Sequence, residues 1–422
     1  MNTHASPARL AYRSRSLSVA AKLVCLLVCA MSLLASRTAQ AQALGVGEVS
    51  TPGVTRPHVD RAIALFQPTD EQLELIEIAY DLYLDRVRDT ADTMREVQRA
   101  AFDEYRDTGN PEIWRDLIPV VDRYEARRDE LDADFLEEVR LVLDDAQRER
   151  WSRFQRDRRR MIGLTDGGLV SGDSVDLVDV VERTRLSEDA RAAALPVLDR
   201  YIAEMDRLMI EIAEARDELD KQALDAFADF DFSAQEPDFT AFNELLNGAT
   251  QLSAQIRDVN QRYASLLART IGGEEGDRIE RAYLSAAYPA VFRTSSAERT
   301  LDAALSFDDL TDEQRESIET LRDRYFREVE RSNEAWVDAI QEAESGGTIE
   351  DLFAGVGFGD EAERQARRDR RDLDRRYADT VRNLLNDEQS ARLPQPARLE
   401  SERRSMNRSR SSGPLATDRR AA

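Results

Sequence analysis

The chain has 422 residues, with 83 acidic and 59 basic side chains and a formal net charge of −24. Charged residues make up 34% of it and aromatic residues only 7%, a composition typical of long solvated helices rather than a compact enzyme. The strong negative charge argues against nucleic acid and anionic lipid as main partners.

The first 41 residues have the pattern of a secretory signal peptide. Four basic residues precede an apolar run at 23–31, and small-x-small cleavage sites follow at 39–41 and 41–43. Because the run is too short for a comfortable membrane span, we expect no integral membrane segment in the mature chain. We therefore expect the mature protein in a bacterial periplasm or outside the cell.

Removal of this signal changes the chemistry that the chain can offer. Both cysteines, Cys25 and Cys29, lie in the signal, so disulfides and thiol chemistry are excluded from the mature chain. The mature chain keeps 54 basic and all 83 acidic residues, a net charge of −29. That charge fits an unfolded, basic or apolar partner, although solubility alone also explains it.

The clearest pattern in the mature chain is an internal duplication. The sequence Thr-Asp-Glu-Gln at 69–72 recurs at 311–314, and in each copy a second glutamine follows 75 residues after the first. Both pairs share an offset of 242 residues, which indicates a repeat. A degraded copy opens at Ser187, with Ala190 and Glu275 at the glutamine positions and 85 residues between them.

Each copy of the motif predicts a helix start. In a capping box the N-cap side chain accepts a hydrogen bond from the N3 amide, while the N3 glutamine reaches back to the N-cap amide. Acidic residues behind the cap suit the positive end of the helix dipole. The predicted capping residues are Thr69, Gln72, Asp144, Gln147, Ser187, Thr311, Gln314, Asn386 and Gln389.

Taken in chain order, the apolar pattern predicts an all-α protein. We expect three tandem long helical hairpins with coiled-coil character, short connecting helices and no sheet. Short helices are expected before the long ones, at 59–66, 175–184 and 297–305. The predicted boundaries are 1–41 for the signal peptide, 55–163 for repeat 1, 174–290 for the degenerate repeat 2, 295–394 for repeat 3 and 395–422 for a disordered Arg/Ser-rich tail.

Glycine and proline mark the expected breaks within the repeats. In repeat 1 the outgoing helix should end near 108–111, and Pro119 should begin or kink the return helix. Pro196 should kink the outgoing helix of repeat 2, whose longer loop lies near 230–233. The glycines of 355–359 should form the hairpin tip of repeat 3.

The sequence contains no pattern for a metal, cofactor or catalytic site. His58 is the only histidine of the mature chain, and carboxylates at helical spacing are typical of a solvated face, so we expect no metal. There is no cysteine nucleophile, no histidine base and no phosphate-binding glycine loop, so we expect no cofactor and no enzyme activity. Tyr83, Tyr201 and Tyr325, one in each repeat, are interpreted as core residues.

These paired motifs on an exported helical chain resemble the Spy/CpxP (LTxxQ-motif) family of periplasmic proteins. The resemblance covers most of 55–394, with departures at Pro68, Asp144 and Asn386 and in the eroded repeat 2. It implies a cradle-shaped helical protein, but three fused units depart from the family's single-unit dimers, which leaves self-association open. The residues that carry it are Thr69, Gln72, Leu143, Gln147, Leu310, Thr311, Gln314, Leu385 and Gln389.

The resemblance implies an ATP-independent chaperone or envelope-stress binder whose partners are unfolded or partly folded proteins. Two alternatives stay open at this point: a scaffolding coiled coil of the envelope, and a metal-responsive regulator. Apolar surface left over after helix packing would favour the chaperone, and a uniformly charged exterior would favour the scaffold. Tight metal retention without histidine or cysteine would favour the regulator.

Overall fold

A computed structural model describes residues 52–110, 112–165, 168–229, 238–346 and 361–394. These residues form thirteen helices and no strand, which confirms the all-α prediction. The predicted signal peptide, the loop near 230–233, the glycines of 355–359 and the tail at 395–422 lie outside the described residues. Among the helices that are described, none combines the length and apolarity needed to span a bilayer.

The described residues divide into two compact units. The first extends to Tyr288, and the second begins at Pro289, apart from residues 344–346, which group with the first. The first unit contains α1 (Arg56–Phe66), α2 (Asp70–Thr108), α3 (Glu112–Val142), α4 (Asp145–Arg148), α5 (Trp151–Thr165), α6 (Leu177–Arg183), α7 (Glu188–Asp229), α8 (Thr240–Ile271) and α9 (Gly273–Ala287). The second unit is built on α10 (Ser296–Leu305), α11 (Asp312–Gly346), α12 (Glu361–Leu384) and α13 (Asp387–Ala391).

The ends of α2 show why the sequence forms a helix of this length. Thr69 is its N-cap in an extended conformation, and Asp70 and Glu71 lie in the first turn, where carboxylates oppose the helix dipole. The helix runs for 39 residues and ends at Gly109, whose φ of 67° is a left-handed conformation that glycine adopts at little cost.

Two of the long helices contain a proline within them. The return helix α3 begins at Glu112, so Pro119 lies inside it and does not begin it. Pro196 likewise lies inside α7. A proline removes one backbone hydrogen bond, and a long helix that packs along its length can absorb that loss. The three short helices α1, α6 and α10 occur close to their expected positions.

In repeat 1 the helices α2 and α3 pack side by side in opposite directions. Gln72 bonds to Gln147 and Tyr83 to Asp132, while Met94 packs near Val121 and Tyr124, so residue numbers fall along one helix as they rise along the other. Each large apolar side chain buried in this seam contributes roughly 1.5–3 kcal/mol. The core of the seam is Ile76, Tyr80, Tyr83, Val87, Leu131, Phe135 and Val139.

The second unit has its own core of the same kind. The ring of Tyr325 on α11 meets that of Tyr377 on α12 edge-on, with ring centroids 5.1 Å apart. Leu301 of the short helix α10 is fully buried in the same cluster. Beyond these contacts, the description of the repeats as tandem hairpins with coiled-coil character stays a prediction.

Candidate functional site

In repeat 1 the two motif glutamines bond to each other as well as to their own caps. The Gln72 amide donates to Gln147 Oε1 at 2.9 Å, and the Gln147 amide donates to Gln72 Oε1 at 3.0 Å. Each Oε1 also accepts from the backbone N–H of its own N-cap, Thr69 or Asp144, at 2.9 Å. The Gln72 amide further donates to the Val142 carbonyl at the end of α3. The pair therefore joins the start of α2 to the junction of α3 and α4.

Repeat 3 builds the same arrangement 242 residues later. The Gln314 amide donates to Gln389 Oε1 at 3.1 Å and to the Leu384 carbonyl at 2.9 Å. Thr311 and Asn386 are the N-caps, and Gln389 is only 1% exposed. Because every donor and acceptor of these amides has a partner, loss of one glutamine leaves several partly buried groups unsatisfied.

Repeat 2 closes the same junction with different chemistry. Ala190 has no side-chain amide. Glu275 on α9 instead reaches across to Ser187, the residue before α7. Its carboxylate accepts from the Ser187 N–H at 2.9 Å and from the Ser187 hydroxyl at 2.7 Å. The backbone and side-chain hydrogen bonds from Ser187 lower the pKa of Glu275. Glu275, which stands where the other repeats have their second glutamine, thus still accepts the N–H of the residue before α7.

We expect the glutamines of repeat 3 to act as one unit. Gln314→Ala and Gln389→Ala should each cost about 1–3 kcal/mol, because each leaves its partner's amide and a backbone carbonyl unsatisfied. The double variant should cost clearly less than the sum, with a coupling of about 1 kcal/mol in a denaturant-unfolding cycle. Additive losses would contradict the paired geometry.

Each repeat also contains one buried tyrosine on its outgoing long helix. Tyr83, Tyr201 and Tyr325 are at most 2% exposed. Their hydroxyls donate to an oxygen on the return helix: Asp132 at 2.5 Å, Asn260 at 3.0 Å and Asp374 at 2.8 Å. Each tyrosine thereby fixes the spacing of two long helices.

The same hydroxyls also contact the segment at the start of the preceding short helix. The hydroxyl of Tyr83 accepts from the Val54 N–H at 2.9 Å, that of Tyr201 lies 3.5 Å from the Leu177 nitrogen, and that of Tyr325 bonds to Ser295 Oγ at 2.6 Å. Burial raises the pKa of all three tyrosines well above the ordinary value. The hydroxyls therefore stay protonated and act as donors within the core, not as nucleophiles.

A chain of buried charges on α5 joins the two repeats of the first unit. Asp157 is 1% exposed and accepts from Arg61 Nε of α1 and from Arg160 Nη1, both at 2.9 Å. Arg160 also donates to Asp176, the N-cap of α6, at 3.0 Å. Arg159 contacts Asp206 of α7 at 2.7 Å. These three charged residues of α5 thus hold α1, the N-cap of α6 and α7 by ion pairs.

His58 has a structural role in α1. It is 6% exposed, and its Nδ1 accepts from the N–H of the N-cap Thr55 at 3.0 Å. Burial, followed by the nearby positive charge of Arg158, lowers the pKa of His58 to about 4. No group of three or more histidine, cysteine or acidic side chains among the described residues is arranged to hold a metal ion.

An apolar row lies on the outer surface of α2. Leu75, Ile78 and Leu82 are 51%, 50% and 50% exposed, and their spacing of three and four residues aligns them on one side of the helix. The row is absent from the duplicate: the residues 242 positions later are Ser317, Thr320 and Arg324. We call Leu75, Ile78 and Leu82 the apolar row.

The apolar row has a neighbour on α3. Arg86, one turn after Leu82, bonds to Glu138 on α3 at 3.5 Å, which fixes the side of the helix pair on which both residues lie. Leu141, three residues after Glu138, is 70% exposed. On the geometry of two antiparallel helices, Leu141 projects toward the same side as the row. Leu141 is thus a further exposed apolar side chain, on α3 rather than in the row.

Sequence reasoning missed most of these contacts. It assigned the capping residues individually, without the cross-pairing of glutamines or the role of Glu275. The aspartate partners of the tyrosines had a detectable signal, because Asp132 recurs as Asp374 at the same 242-residue offset. The burial of the α5 charges had no such signal.

Comparison with known proteins gives no assignment: no family model, no curated protein and no solved structure matches this chain.

Proposed function

We propose that this protein is an exported, non-enzymatic helical chaperone that holds partly unfolded proteins without ATP. The observation that carries the proposal is the apolar row on α2. Single exposed apolar residues are ordinary on protein surfaces, but three aligned on one side of one helix form a patch. On a chain that is one-third charged, such a patch is the best candidate for client contact.

Three further features support this proposal. The basic and apolar pattern of residues 1–41 favours export, where nucleotide is scarce and a holding chaperone must work by surface contact alone. The motif resemblance to the Spy/CpxP family points to the same activity. The glutamine pairs and buried ion pairs hold the helices together, and the half-exposed apolar row is not part of the buried core.

The duplicate helix supplies the test variant. We expect Leu75→Ser, Ile78→Thr and Leu82→Arg together to remove most suppression of client aggregation, because these are the residues that repeat 3 carries at the equivalent positions. Since all three side chains are half-exposed, the free energy of unfolding should change by less than about 1 kcal/mol. Light scattering of a denatured globular client diluted into buffer without ATP measures the effect.

Leu195→Ser is the matched control, because Leu195 is 55% exposed on α7 outside the row. It should leave suppression unchanged. A different result would favour the scaffold alternative over the chaperone proposal. In that case wild-type protein would protect no client at any ratio and would sediment as oligomers, which the row variant would abolish.

A further inference from the structure

The apolar row lies in a strongly acidic stretch of α2. Residues 70–85 contain six acidic side chains and no basic one. Glu71, Glu74 and Asp81 are exposed, lie within one turn of the row, and make no ion pair within the described part of the chain. We call these three residues the acidic flank.

The helix dipole does not cancel this charge. The N-terminus of α2 contributes roughly half a positive unit charge, against six carboxylates in four turns. Of the six, Glu77 pairs with Arg56 and Asp85 with Arg88. The stretch of α2 that carries the row therefore has a net negative charge.

Repeat 3 lacks this combination. Residues 312–327, the equivalent segment of α11, contain five acidic and four basic side chains. Glu313, Glu316 and Asp323 occupy the positions of the acidic flank, but polar residues replace the row and arginines are interspersed. The apolar row and the unbalanced negative charge thus occur together in repeat 1 and are lost together in repeat 3.

The negative charge of the acidic flank favours one kind of partner on the apolar row over another. A second copy of the chain docked row to row would bring two acidic flanks together, and like charges at an interface oppose association. A partner with arginine or lysine beside its apolar residues would neutralise the flank while covering the row. Spacing of three and four residues matches the apolar stripe of a second helix.

We propose that the apolar row and acidic flank of α2 form a docking surface for cationic amphipathic helical segments of other proteins. This inference rests on the proposed function and names the class of client segment. Leucine or isoleucine side chains of the segment pack on the row and its arginines or lysines pair with Glu71, Glu74 and Asp81. Selection is by charge as well as apolarity, so acidic amphipathic segments are rejected.

The test uses the mature protein and two synthetic peptides of about 18 residues with the same leucine stripe. One carries arginine beside the stripe and the other carries glutamate at those positions. In calorimetric titration at low salt, the arginine peptide should bind at least roughly tenfold more tightly than the glutamate peptide. Its affinity should fall several-fold between about 50 and 300 mM salt.

Repeat 3 provides a matched pair of variants. Glu71→Gln, Glu74→Gln and Asp81→Asn together should weaken the arginine peptide roughly tenfold, since three charge contacts are lost. Glu313→Gln, Glu316→Gln and Asp323→Asn make the same changes at the equivalent exposed positions and should leave binding within about twofold. Helical ellipticity at 222 nm confirms that both variants stay folded.

The outcomes separate the two proposals. Equal binding of both peptides, or an equal loss of affinity in both variants, overturns the proposed docking surface. The chaperone proposal survives that result if client aggregation is still suppressed. No peptide binding together with no suppression overturns both. Self-association that the flank variant strengthens shows that a second copy occupies the face, and it also overturns the inference.

Discussion

Asp157→Asn is expected to lower the free energy of unfolding of the first unit by about 3–5 kcal/mol, the range typical for breaking a buried ion pair. The carboxylate is 1% exposed and accepts from two arginines. An asparagine keeps the shape but directs an N–H donor at one guanidinium. Arg160 then keeps only Asp176, and part of its charge is buried without compensation.

The matched control is Asp60→Asn, which removes an ion pair to Arg56 in which both side chains are at least half exposed. It should cost less than about 1 kcal/mol, because solvent screens such pairs. Urea unfolding followed by ellipticity and tryptophan fluorescence measures both variants. Equal small shifts would show that the α5 charges contribute no more than a surface pair. A loss for Asp157→Asn that persists in high salt would support their burial.

The stability of the first unit is expected to fall between about pH 6.5 and 4 because of His58. Its pKa is about 4 in the folded protein and about 6.5 when unfolded, so the unfolded state takes up the proton first as the pH falls. The contribution is therefore complete above pH 6.5 and is lost on acidification. Between pH 7 and 5 the loss amounts to about 2 kcal/mol.

His58→Gln isolates this contribution. Glutamine is a standard N3 residue of a capping box, so it can still accept from the Thr55 N–H, but it does not titrate. At pH 5 the variant should unfold at the same denaturant midpoint as wild type or at a higher one. Between pH 7 and 5 its midpoint should change clearly less than that of wild type. Parallel pH curves for the two proteins would mean that His58 titrates normally in the fold.

The features that could be predicted from the sequence are those that depend on residues close together in the chain. Helix starts such as Thr69 with Gln72 are encoded within four positions, so the caps and most helix limits follow directly. The pairing of Gln72 with Gln147 depends on a residue 75 positions away, and only the repeated 75-residue spacing hinted at it. Local pattern predicts the ends of helices better than the contacts between them.

The charged residues of α5 show the limit most clearly. Asp157 and Arg160 lie in a stretch so polar that it reads as a solvated surface, yet contacts with α1 and α6 remove both from water. Burial of that kind is set by tertiary packing and not by local composition. His58 was considered only as a metal ligand, whereas its neighbour Thr55 makes it part of a helix cap.

The absence of the apolar row from repeat 3 has a consequence for valency. Duplication usually multiplies binding sites, and linked sites gain avidity because a second contact follows the first at high effective concentration. Here the equivalent positions of repeat 3 carry Ser317, Thr320 and Arg324, so the duplicated helix α11 does not offer a second copy of the row. Each chain would therefore take one client segment without avidity. Titrations should saturate at one to one, and release should follow a single exponential.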